Sequence, residues 1–149
     1  MDVLKGAAAG FAATVPMTIA MEALRAYFPR EQTRRAPPRE VIDRTVDKTT
    51  NGAVVESKDR FLLTTAAHFG FGTAAGALYA AFVASRRSTG MLGVAYGLAV
   101  WGLAYGVVLP SLGLHPAASD DTGERNQVLI ASHLVWGVSL GKMMEAGRR

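Results

Sequence analysis

Residues 66–76 read AAHFGFGTAAG, and residues 131–141 read ASHLVWGVSLG. In each run a histidine stands four residues before one glycine and eight before another: His68 with Gly72 and Gly76, His133 with Gly137 and Gly141. Apart from the histidine, each run holds no ionisable residue. At 3.6 residues per turn, positions i, i+4 and i+8 fall on one helix face, drifting about 40° per step. Each imidazole therefore shares a face with two glycines, a face suited to packing against another helix and not to lipid.

The two runs lie within longer apolar blocks. No Asp, Glu, Lys, Arg or His occurs from Gly6 to Met21, from Phe61 to Ser85 apart from His68, from Ser88 to Leu114, or from Gln127 to Gly141 apart from His133. A bilayer core needs about 20 mostly apolar residues in a helix. With Lys142 snorkelling at the end of the last block, the pattern predicts four transmembrane helices over about 4–28, 61–85, 90–110 and 126–146. Glycine would cost a water-soluble helix about 1 kcal/mol relative to alanine, whereas in lipid it favours close helix packing. Residues 1–149 thus read as one all-α, polytopic membrane domain, a compact four-helix bundle with the lipid bilayer as its main partner and both termini on one side. A cleaved signal peptide is the weaker reading of the first block, whose Thr14, Pro16 and Thr18 interrupt it and whose IAMEA is a poor cleavage site.

Five glycine pairs at four-residue spacing, Gly6/Gly10, Gly72/Gly76, Gly93/Gly97, Gly102/Gly106 and Gly137/Gly141, give every expected helix a packing groove. That exceeds what one bundle needs, and a spare groove can serve a homo-oligomer. The echo of the histidine runs, with Gly6/Gly10 and Gly93/Gly97 opening the first helix of each half, suggests two repeated helical hairpins. The first connection is the only long one. Pro37-Pro38 can open a short amphipathic helix there, supported by Glu40 and Arg44 at i,i+4, lying on the headgroups or capping the bundle. Asn51-Gly52 would end it in a turn. RRSTG (86–90) would join helices two and three as a tight hairpin.

Net charge is +4, but the basic residues of the long loop alternate with acidic ones. This mixture reads as a solvated surface and not as a nucleic-acid interface. The chain has no cysteine, which excludes disulfides and thiolate chemistry. No nucleophile motif, phosphate loop or HExxH helix is present. His115 reads as a solvent-exposed loop residue, and Asp120-Asp121 as a turn or capping pair.

His68 and His133 each sit seven residues inside their helices from the long-loop side, and Glu22 lies six from the end of the first helix. All three should lie on the order of 10 Å below that surface. Thr18 precedes Glu22 by one turn, and Tyr105 stands near this level on the third helix. Ionisable groups in a membrane pair with one another or line a cavity. The Glu22/His68/His133 cluster, with Thr18 and Tyr105, could be interhelical hydrogen-bonded glue, a relay or binding site for a small polar species or proton, a zinc or iron site, or, last, a bis-histidine haem site. A non-enzymatic role is preferred; a metal-dependent membrane enzyme is the alternative.

Glu22, then APPRE (36–40), a histidine in the second helix and SHLVWG (132–137) in the last together resemble the YagU-like family of small bacterial inner-membrane proteins. The resemblance implies multi-pass placement in the bacterial inner membrane and no named reaction. It carries over Glu22, Pro37, Pro38, Arg39, His68 and His133.

Overall fold

The computed structural model describes residues 3–32, 34–50, 55–83 and 90–147, and these contain helices and turns but no strand. The Asn51-Gly52 turn and most of the RRSTG hairpin lie outside the described residues. The elements are α1 (Val3–Tyr27), α2 (Pro29–Gln32), α3 (Pro37–Thr49), α4 (Ser57–Leu78, continued by a π-helical turn Tyr79–Val83), α5 (Gly90–Leu103, continued by a π-helical turn Ala104–Val108), α6 (Leu109–Ser111) and α7 (Gly123–Ala146).

Three segments are long and apolar enough to cross a membrane: Val3–Tyr27, Ser57–Val83 and Gly90–Ser111. Their outer faces carry large exposed apolar side chains, including Leu4, Ile19, Phe82 and Met91. Water would make such faces an aggregation hazard, and lipid solvates them. The expected fourth span, α7, does not meet the same standard, because Glu124, Arg125, Lys142 and Glu145 dilute its apolar content. It is instead the helix richest in buried residues, Leu129, His133, Trp136 and Leu140 among them. Its start also differs from expectation: Thr122 caps it by accepting from the Arg125 amide, so Glu124, Arg125 and Asn126 fall in its first turn and not in a loop.

The order of packing is α4 on α1, α1 on α7 and α7 on α5. Glycine sets two of these crossings. A Cβ on Gly10 would lie 2.2 Å from the Gly72 carbonyl oxygen, and one on Gly76 would lie 2.3 Å from that of Gly6. At the other crossing, a Cβ on Gly93 would lie 2.1 Å from the Gly137 oxygen and 3.0 Å from Gly141 Cα, and one on Gly97 would lie 2.5 Å from the His133 oxygen. The backbones touch where any side chain would hold them apart. Gly102 and Gly106 do not behave this way, since nothing lies within 4 Å of a Cβ built on either. They lie before and within the π-turn, so the groove expected there has no partner among the described residues.

The α1/α4 and α5/α7 crossings are alike, as two repeated hairpins would be. The contacts between the pairs are not alike. α1 and α7 pack closely, with Trp136 Nε1 donating to the Gly10 carbonyl at 3.3 Å. Their counterparts α4 and α5 stand apart and meet at one end, where Tyr96 donates to the Ala75 carbonyl at 2.8 Å and its ring lies 5.1 Å from that of Tyr79. A symmetric bundle would have a fourth helix contact here; this one has a cleft.

Candidate functional site

The cleft encloses about 520 Å³, within the range of about 300–1,000 Å³ typical of small-molecule sites. Its floor is α1 and α7, with Thr14, Met17 and Met21 from one and Leu129, Ser132 and Trp136 from the other. Its walls are α4 and α5, whose lining residues Phe71, Leu78, Leu103 and Val108 are also exposed on the outer surface. The cleft therefore opens sideways between α4 and α5, on the face that the apolar belt assigns to lipid. At the loop end Pro38, Val41 and Ile42 of α3 line it.

Helix α3 begins where the two prolines predict, with proline in its first turn, because the missing amide costs nothing there. It does not lie free on the surface. Arg60 of α4 holds it through Asp43 at 3.2 Å and Asp47 at 2.7 Å, and Lys48 donates to the Leu112 carbonyl at 2.7 Å. Burial alone would push the Asp43 carboxyl up, but hydrogen bonds from Arg35 and Arg60 and the charge of Arg39 more than offset it and hold it below the usual aspartate value of 3.8.

Three polar side chains line the cleft between the helices: His68 from α4, Tyr105 from the π-turn of α5 and His133 from α7. Their partners fix which nitrogen carries each proton. Thr18 spends its hydroxyl proton on the Thr14 carbonyl at 2.8 Å, so at 3.2 Å its oxygen accepts from His68 Nε2, and His68 Nδ1 keeps a lone pair. His133 Nδ1 lies 2.8 Å from the Leu129 carbonyl, which can only accept; Nδ1 is the donor and Nε2 keeps the lone pair. The ring of Tyr105 meets His133 edge-on at 6.0 Å and His115 at 5.0 Å. The extra residue of a π-turn re-aims a side chain, and such turns recur at functional sites.

Glu22 is not among these groups. Its carboxylate receives Arg25 at 2.9 Å, with 54% of the side chain exposed. Thr14 and Thr18 look inward, but two steps of about 40° carry Glu22 some 80° round the helix, and Arg25 three residues on captures it. Equal depth did not bring equal direction. Among the described residues, no group of three or more His, Cys, Asp or Glu is placed to hold a metal ion.

A second polar centre lies just beyond Tyr105, and sequence reasoning missed it. Arg125 is wholly buried, donating to Glu31 at 2.9 Å, to Glu40 at 2.5 Å and to the Arg35 carbonyl at 3.2 Å. Glu31 is equally buried, and Arg34 lies 3.4 Å from both Glu31 and Asp121. His115, expected in solvent, is 3% exposed, with Nε2 3.7 Å from Asp121 Oδ2. Asp121, the residue before the Thr122 cap, accepts from the Thr122 amide at 2.8 Å and also faces Arg125 Nε at 3.4 Å. The long loop is thus the ion-paired end of the bundle and not merely a solvated surface.

A family model described as a protein of unknown function, DUF1440, matches residues 11–141. The chain belongs to that family. The matched stretch takes in every residue that lines the cleft and every member of the Arg125 network named above. No curated protein and no solved structure matches the chain. The chain is therefore a helical membrane protein of an uncharacterised family, and its role has to be read from its own geometry.

Proposed function

We propose that the chain is a single four-span domain of the bacterial inner membrane, with both termini on one side, that binds a small apolar or amphiphilic molecule drawn from the bilayer. The carrying observation is the apolar cleft that opens between α4 and α5 where the repeat would otherwise place a helix contact. A fourth span by α7 is supported by its packing along α1 and α5. Its mid-helix polar residues Ser132 and His133 are buried, so it needs less apolar surface than an outer helix. Membrane placement is further supported by the exposed apolar belt, and the inner membrane by the likeness to the YagU-like family. A small polar species fits less well than an apolar one, because its passage would meet apolar walls and leave Glu22 outside.

Native mass spectrometry of the protein extracted in mild detergent tests this reading. The wild type is expected to carry a bound small molecule that Ala74→Phe and Ala99→Phe, each placing a ring in the cleft, lose while keeping their helical content. Identical adducts in all three proteins would defeat it.

One observation favours a second reading. His68 and His133 both commit a ring N–H to the protein and keep a bare nitrogen, which is how histidines that ligate metals are held. Zinc, iron or haem bound by these two would show as stoichiometric metal by elemental analysis, or as a haem absorbance band, lost in His133→Leu.

A further inference from the structure

The chemistry of the cleft's polar side chains narrows the ligand class. Three side chains on three helices line the cleft, and the atoms each leaves over are defined by the bonds already made. His68 Nδ1 and His133 Nε2 are lone pairs that can only accept. The Tyr105 hydroxyl makes no hydrogen bond among the described residues, although Tyr105 is 7% exposed. It is a donor without an acceptor. A polar group held in an apolar enclosure without a partner is costly, so a ligand that completes these bonds gains over one that does not.

Each ligand class meets this set differently. A carboxylate offers only acceptors and would face two imidazole lone pairs. An ammonium would bring an uncompensated charge into an apolar cleft, since Glu22 is engaged by Arg25 outside it. A ketone or ester could take only the Tyr105 proton. A bare hydrocarbon would complete none of the three. A hydroxyl has one proton for an imidazole lone pair and an oxygen that accepts from Tyr105.

We infer that the cleft selects an apolar molecule carrying a neutral hydroxyl, taken sideways from the bilayer, with the bare nitrogen of His133 or His68 accepting a hydrogen bond from its one proton and Tyr105 donating to its oxygen. The inference rests on the cleft reading proposed above and goes beyond it by naming the headgroup. Entry from the bilayer follows from the exposed rim residues Phe71, Leu78 and Leu103 on α4 and α5, together with the apolar lining that Pro38, Val41 and Ile42 give its loop end.

Trp136 lines the cleft and Trp101 does not, so a Trp101→Phe background leaves one fluorescent reporter inside the site. Four probes of equal chain length, each tipped with bromine to quench indole on contact, are titrated at matched mole fraction into detergent micelles holding the full chain. They are a long-chain alcohol, alkane, carboxylate and amine. The alcohol is expected to reach half-quenching at about 3- to 10-fold lower concentration than the alkane, the worth of one or two net hydrogen bonds. Tyr105→Phe, which keeps the ring, should reduce that advantage about threefold while leaving the alkane titration unchanged, and His133→Leu should do the same. Equal quenching by alcohol and alkane overturns the hydroxyl inference and leaves the cleft reading standing. A carboxylate or amine as potent as the alcohol also overturns the inference. Absence of quenching by every probe overturns both.

Discussion

Replacing Arg125 by methionine keeps an unbranched apolar stem and removes the guanidinium with its charge. In the wild type, Arg125 and Glu31 are both fully buried and 2.9 Å apart. After the change, Glu31 keeps only Arg34 among the pairs described here, at 3.4 Å and 38% exposed. Glu40 suffers less, because Arg44 still reaches it at 2.8 Å near the surface, where a pair contributes about 1 kcal/mol or less. Stranding a buried partner costs about 3–5 kcal/mol, so Arg125→Met should lose that amount, chiefly through Glu31. Glu31→Gln should lose less, about 1–2 kcal/mol, since Arg125 would still have Glu40 and Asp121 as counter-ions. Combining the two removes the stranded charge and should recover at least half of the Arg125→Met loss. Reversible unfolding in mixed micelles, followed by helical circular dichroism, gives all three values and their coupling. A loss below about 1 kcal/mol for Arg125→Met, or a double variant no better than the single one, would refute the argument that this network is a buried, charge-balanced unit.

The glycine crossings predict a contrast in the same assay. Gly10→Ala puts a Cβ 2.2 Å from a backbone oxygen and should cost about 1–3 kcal/mol, whereas Gly102→Ala meets open space and should be neutral or gain up to about 1 kcal/mol from helix propensity; equal effects would contradict the packing described. Asp43 sets an acid limit. Its folded value lies below the usual 3.8, so its stabilising contribution is complete above the unfolded value, near pH 4, and is lost as pH falls through the folded one. Stability measured from pH 6 downward should therefore fall less steeply below pH 4 in Asp43→Asn than in the wild type, and parallel curves would count against the Arg35–Asp43–Arg60 bridge. Tyr96→Phe removes the hydrogen bond that joins α4 to α5 and should cost about 0.5–1.5 kcal/mol in the same unfolding measurement; no loss would show that the link is not holding the end of the cleft.

Much of the architecture was legible because it is written locally. Charge-free blocks, their glycine spacing and the Pro37-Pro38 start each depend on residues within a few turns of one another, and α1, α4 and α5 follow them to within a few residues. His68, His133 and Tyr105, which rise per residue puts at similar depth, all line the cleft. Direction was not legible. Whether Glu22 faces in or out turns on an accumulated helical phase and on Arg25 nearby. The Arg125 network was hidden for a different reason: its partners Glu31 and Glu40 lie 94 and 85 residues away in the chain. Nothing in the composition of the loop distinguishes an acidic residue that folds onto a buried arginine from one that meets water. The cleft itself arises from a missing contact between α4 and α5, and no local pattern encodes a contact that does not form.

The account turns on a cleft that opens to lipid and is closed to water. Because the chain has no cysteine, a single cysteine at Ala74, a lining residue of α4, can carry a nitroxide at one defined place in protein reconstituted into bilayers. Power-saturation electron paramagnetic resonance then compares collision with oxygen, which concentrates in the bilayer core, and with a water-soluble nickel chelate. The account predicts strong relaxation by oxygen and almost none by nickel. Strong relaxation by nickel would contradict it, because the space beside His68, Tyr105 and His133 would then be an aqueous cavity.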